Sequence, residues 1–186
     1  MRLVWHIVLG IVFLAGNAIA GGVHDGPSGM ESEAPQQRLE PIKIAVFDFE
    51  LEDFSAAGAT VAGPFEARYL AEATEEAKHR LAESGRYSIV NTAGADLAAA
   101  QGHGLRNCRG CDAAIAAKLG ADQDMIGVVT KISMVEYTVT VQVSDARTGA
   151  VIETFTTNLR MGAGSSWALG AAWLMKNRVL ASHEQR

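Results

Sequence analysis

Cys108 and Cys111 are the only two cysteines of the 186-residue chain, and they stand three positions apart in GLRNCRGCDAAIAAKLGAD, Gly104 to Asp122. Thiols at this spacing support three chemistries: a disulfide that tightens one turn, a reactive dithiol, or part of a metal site. A helix amino terminus and the flanking Arg106 and Arg109 would favour the thiolate that a redox centre needs. Against that, a thioredoxin-like site follows a buried strand directly, has an aromatic residue before the first cysteine and a proline between the two. Here QGHGLRN precedes and Arg109-Gly110 intervenes. A tetrahedral metal site needs four ligands. His103 could add a third, but His24, His79 and His183 fall in a leader, on a helix and in a tail, so neither metal nor other cofactor is expected.

The second group with chemical potential is acidic. Asp48, Glu50, Glu52 and Asp53 cluster at the end of the first apolar stretch. Carboxylates at that density can hold a cation, but they lack the glycine-punctuated spacing of a calcium loop, and a solvated strand end accounts for them better. GHGLRN and GAGSSW do not complete G-x-G-x-x-G, and the chain has no GK[ST], no G-x-S-x-G elbow and no H-E-x-x-H. No catalytic set forms outside the cysteine pair.

What the cysteines become depends on the compartment. Residues 1–20, MRLVWHIVLGIVFLAGNAIA, carry Arg2, an apolar run from Ile7 to Ala15 and Ala18-Ile19-Ala20 as an A-x-A signal. That pattern is a secretory signal peptide cleaved after Ala20. Its apolar run is shorter than the roughly 18 to 20 residues that span a bilayer, so the mature chain is expected in the periplasm with no integral membrane segment. No cysteine lies near the cleavage point to carry a lipid. In that oxidising space an isolated pair reads as a disulfide. A loop of four residues gains only about 2 kcal/mol from closure, so the bond would tighten one turn.

The net charge of −5 becomes slightly more negative once Arg2 is removed, and lysines and arginines are scattered. This excludes a nucleic-acid role, which needs a basic patch, and a polybasic membrane-surface role.

These groups must be held by a domain that begins near Ile42. Residues 21–41, GGVHDGPSGMESEAPQQRLEP, have almost no large apolar side chain and read as a flexible leader. In IKIAVFDFEL, Ala45, Phe47, Phe49 and Leu51 form one row with Ile44 and Val46 opposite, which predicts a strand buried on both faces. Pro64 opens a helix whose Phe65, Tyr69, Ala73, Ala77 and Leu81 recur every fourth residue until Gly85. RYSIVN is a strand, Ala95 to Gln101 a short helix, and Asp112 to Leu119 a second helix ended by Gly120.

MIGVVTKISM and EYTVTVQVSD follow as strands, with Val139, Val141 and Val143 alternating with polar residues. DARTG turns the chain into AVIETFTTNL, and SSWALGAAWLMKNRVLA closes as a helix. The order β-α-β-α-α-β-β-β-α predicts an α/β chain of the mixed α+β kind: a single mixed sheet with helices packed on it, one domain over 42–181, and a polar tail over 182–186. In the closing helix Trp167, Trp173 and Met175 cannot all face inward, which makes them candidates for a contact surface.

IAVFDFEL, LAESGRYSIV, CRGCDAAIAAKLGAD, the V-x-K-I-S strand, DARTG and the late SSW together resemble a family of small secreted proteobacterial proteins known as a domain of unknown function. The resemblance covers Ile42 to Leu180. IAVFDFE, the helix, GRYSIV, and the GAD strand with its hairpin are also similar to the TolB amino-terminal domain and to related envelope assembly lipoproteins. That likeness implies the same fold, a periplasmic setting and a non-catalytic adaptor role toward an envelope protein; it brings no active-site residues with it. Two alternatives stay open: a thiol-disulfide protein using Cys108 and Cys111, and a binder of a small ligand or cation at Asp48, Glu50, Glu52 and Asp53.

Overall fold

A computed structural model of the chain describes residues 40–55, 62–98, 104–133, 135–160 and 165–183. The expected signal peptide and nearly all of the leader lie outside the described residues, as do 99–103 and the last three residues of the expected tail.

Among the described residues six strands and three α-helices form in the order β1 (Ile42–Val46), β2 (Glu50–Asp53), α1 (Pro64–Glu83), β3 (Tyr87–Val90), α2 (Cys111–Lys118), β4 (Gln123–Lys131), β5 (Glu136–Asp145), β6 (Val151–Arg160) and α3 (Ser165–Leu174). The strands make one mixed sheet in the spatial order β3-β1-β4-β5-β6, with β2 also paired to β4. β1 runs parallel to β3 and β4, β2 runs parallel to β4, and β4, β5 and β6 form an antiparallel meander. The protein is therefore an α+β fold, a single mixed sheet with helices packed against it.

The predicted first strand is two strands. Val46 pairs with Met125 and Glu50 with Val128, so Phe47, Asp48 and Phe49 face only Ile126 and Gly127 across the gap. The extra residue reverses side-chain parity, because successive strand residues point to opposite faces. Phe49 and Leu51 therefore leave the row of Ala45 and Phe47 and join Ile44 and Val46 on the opposite face. Gly127 is what makes room for this: the Phe49 ring occupies the space where a residue 127 side chain would stand.

That face of the sheet carries the larger core. α1 supplies Leu70, Ala73, Thr74, Ala77 and Leu81, and α3 supplies Trp167, Ala171 and Leu174. Trp167 packs edge-on to Tyr69 at 5.8 Å between ring centroids and tilted against Tyr137 at 5.5 Å. Phe65, expected on the same face as Leu81, is 70% exposed. A row of every fourth residue drifts by about 40° per step on a helix of 3.6 residues per turn, so the sixteen positions from Leu81 carry Phe65 out of the core.

α1 begins at Pro64, where the Gly63 N–H donates to Glu66 Oε2 at 2.9 Å. It ends before Gly85, whose φ of 66° lies in the left-handed region that glycine adopts without strain. The DARTG turn closes on Asp145, whose Oδ1 accepts from the Arg147 N–H, the Thr148 N–H and the Thr148 hydroxyl. Those bonds, the Thr148 hydroxyl foremost, lower the Asp145 pKa.

Two expected helices differ in extent. Ala95, Asp96 and Leu97 are irregular, and the rest of the predicted Ala95–Gln101 helix falls mostly outside the described residues. The closing helix is α-helical to Leu174 and then widens into a π turn over Met175–Val179, where the Leu180 N–H donates to the Met175 carbonyl. Beyond it, Ser182 is drawn onto the domain by its hydroxyl donating to Glu153 at 2.8 Å.

Candidate functional site

The opposite face of the sheet holds the smaller core and most of the chain's chemistry. α2 covers Ala45, Phe47 and Ile126 with Ile115 and Ala116. A short 3₁₀ turn, Leu105–Asn107, leads into it through Cys108, Arg109 and Gly110. Arg109 and Gly110 both have positive φ, 56° and 97°, which bends the chain sharply enough for the two cysteines to meet.

Cys108 and Cys111 are joined in a disulfide with Cα atoms 5.4 Å apart, and Cys111 is the first residue of α2. The bond closes a short loop that is also held by hydrogen bonds, so Cys108→Ser with Cys111→Ser should cost at most about 2 kcal/mol in chemical denaturation, the fold being retained. A much larger loss would mean that the bond staples the whole domain.

Glu50 fixes this loop from β2. Its carboxylate accepts the Leu105 N–H and the Arg106 Nη1 donor, the latter at 2.6 Å. Gly104, at φ 70°, lets that carboxylate approach, since a Cβ there would overlap it. Glu52 stands 3.8 Å from Arg106 Nε.

The acidic run thus does not come together. Glu50 and Glu52 serve Arg106 on the α2 side, and Asp48 is exposed. Asp53 turns to the other side, where Lys131 Nζ lies 3.2 Å from its carboxylate and 3.0 Å from Glu66. The parity of β2 explains the division, alternate residues pointing to opposite faces. No group of three or more metal-ligating side chains forms among the described residues.

Two acids that the sequence reading passed over lie beneath the disulfide. Asp112, in the first turn of α2, is 4% exposed, and Asp124, on β4, is fully enclosed. Burial first, then the neighbouring Asp112 charge and a hydrogen bond to it, push the Asp124 pKa up to about 8. Asp124 is thereby held toward its protonated form beside Asp112. Asp124 escaped notice because GADQD reads as a loop, whereas β4 begins at Gln123.

The third candidate group is divided as well. Trp167 and Met175, expected at a contact surface, are fully buried. Eight positions apart, they return to the same helical face along with Ala171 and Leu174. Trp173 alone remains outside, 45% exposed, with Leu169 one turn before it at 67%. The Arg178 guanidinium sits 5.7 Å from the centroid of the Trp173 ring.

Fold and site together define a small α+β domain whose one disulfide closes the start of a helix over a buried pair of acids. The chain belongs to the family described as "Protein of unknown function (DUF2380)", whose profile matches residues 42–179. No curated protein matches the sequence. Among solved structures it is similar to the LpoB C-terminal domain from Salmonella enterica at 18% identity, covering 66% of this chain and 84% of that one, with a TM-score of 0.46. Lipoprotein GNA1162 from Neisseria meningitidis is similar at 17% identity over 78% of this chain and 96% of that chain, TM-score 0.47. TolB from Acinetobacter baumannii is similar at 15% identity, TM-score 0.39, the match covering 74% of this chain and 28% of that much longer one.

Proposed function

We propose that the protein is a binding module of the bacterial cell envelope, periplasmic after cleavage behind Ala20, and that it docks to another envelope protein. The observation that carries this reading is the outer face of α3, where Leu169 and Trp173 stand side by side in solvent while the inner face is fully packed. Exposed aromatic and aliphatic side chains one helical turn apart are the kind of anchor that protein interfaces use. No helix among the described residues is long and apolar enough to cross a membrane, which fits a partner met at a protein surface.

Trp173→Ala tests the reading. Half of the ring is already in solvent and its Arg178 contact is worth about 0.5–1 kcal/mol at an exposed site, so the variant should stay within about 1 kcal/mol of the parent. Crosslinking in periplasm should nevertheless lose the partner that the parent protein captures. Equal capture by both proteins would remove α3 as the docking face. A purified protein that catalytically exchanges model disulfides, loses this with Cys111→Ser and captures no partner would overturn the adaptor reading itself.

A further inference from the structure

The disulfide lies beside an acid. Cys108 Sγ lies 4.0 Å from Asp112 Oδ1, and Asp112 in turn meets the enclosed Asp124. Were both acids ionised, neither Asp124 oxygen would have a hydrogen-bond donor, so one proton held between them is what makes the pair tenable. Beside them a cavity of about 230 Å³ is lined by Arg106, Arg109, Asp112, Gln142 and Ser144, and both cysteines are half-buried and so still reached by solvent. The charged groups facing the pair are Arg106 and Arg109 from the loop before α2 and Asp145 from β5, with Arg106 already committed to Glu50 and Glu52.

We propose that Cys108, Cys111 and the Asp112–Asp124 pair form a thiol–disulfide exchange centre, in which the carboxyl pair delivers a proton to the Cys108 sulfur when a dithiol opens the bond. This is an activity beyond docking and does not depend on it. One thiolate of the dithiol attacks Cys111 Sγ, forming a mixed disulfide, and the Cys108–Cys111 bond breaks. Its electron pair stays on Cys108 Sγ, which takes the proton that Asp124 holds and Asp112 relays. The second thiolate of the dithiol then attacks the reductant's own sulfur in the mixed disulfide. That closes the reductant's disulfide and releases Cys111 as a thiolate at the start of α2, where a helix amino terminus stabilises it.

The protein's sulfurs gain two electrons, the dithiol loses two, and solvent returns the proton to the carboxyl pair. Running backward, the same steps oxidise the pair. The Asp124 pKa near 8 lies close to the roughly 8.5 of an ordinary thiol, so the transfer is nearly balanced and works in both directions. Asp112 is the acid beside the reacting sulfur; Asp124 holds the proton and acts through it.

The test is the rate at which dithiothreitol opens the disulfide of the folded full-length mature protein, read by alkylation of freed thiols and divided by the thiolate concentration, from pH 6 to pH 9.5. For the parent protein this normalised rate should be level at low pH and fall above about pH 8 as the pair loses its proton. Asp124→Asn, which keeps the shape and neutrality of the protonated acid but has no proton to give, should be slower at pH 7 by at least about tenfold and show no inflection. Asp112→Asn should lose the inflection too, which keeps the proposal testable if one variant fails to fold. A merely structural role for the acids would change stability and leave the pH profile intact. Identical profiles for parent and variants, a parent profile with no inflection near pH 8, or a disulfide that opens only in denaturant would each overturn the proposal.

Discussion

Gly127→Ala should destabilise the domain by about 2–3 kcal/mol, and the loss should nearly vanish when Phe49 is already alanine. The methyl group would be placed inside van der Waals contact of Cγ, Cδ1 and Cε1 of the Phe49 ring. The ring cannot move aside. Phe49 is buried, and its backbone N–H is tied to Thr74 Oγ1 at 2.9 Å, while that hydroxyl donates to the Leu70 carbonyl within α1. Phe49→Ala alone should cost about 3–5 kcal/mol, since the ring fills the irregular step between β1 and β2. Urea unfolding of the two single variants and the double variant reads the coupling. Additive losses would show that ring and glycine are not locked together and that the step is held by something else.

The second large effect concerns Lys131, nearly enclosed between Asp53 and Glu66. Lys131→Met keeps the length of the side chain and removes its charge, leaving two carboxylates without their cation in a site largely withdrawn from water. The expected loss at pH 7 is about 3–5 kcal/mol, because breaking a buried pair from one side strands the other charge. The pH dependence fixes the sign. Ser55, whose backbone N–H donates to Asp53 Oδ1 at 2.8 Å, together with Lys131 outweighs burial and holds the Asp53 pKa down to about 2.

A carboxyl depressed in the folded state stabilises fully above its unfolded pKa, near 4, and that stabilisation is lost as pH falls toward 2. Glu66 is lowered as well, chiefly by the Gly63 N–H and then by Lys131. The gap between parent and Lys131→Met should therefore be widest near neutrality and shrink between pH 4 and pH 2, as the stranded acids take up protons. Denaturant unfolding at pH 7 and pH 3 measures it. A gap below 1 kcal/mol at pH 7, or one that does not change with pH, would contradict the account of this site.

What could be read in the sequence was local. Pro64 and Gly85 bracket α1, Val139, Val141 and Val143 alternate along β5, and Asp145 to Gly149 makes the turn, because each signal is confined to a few neighbouring residues. The step at Phe47–Phe49 was not legible, since alternation is counted along one strand and the extra residue is defined only against β4. Phe49 and Leu51 were consequently placed on the wrong face.

The same limit hid the site. Glu50 and Arg106 are 56 positions apart, and their pairing is made by the sheet and the loop before α2 rather than by any spacing. Asp112 follows the second cysteine immediately, and Asp124 directly precedes the apolar run Met125–Val129 of its strand. An acid at an inward strand position was the available signal. It was lost because the strand was begun two residues too late.

The claim that this is a docking module stands or falls on which surface touches another protein in the cell. A photoreactive residue placed in turn at Leu169, Trp173 and the exposed Lys118 of α2, with crosslinking in living cells, measures it most directly. The account predicts the same envelope protein joined at Leu169 and at Trp173 and absent at Lys118. No adduct at either α3 position, or the same adducts at Lys118, would contradict it.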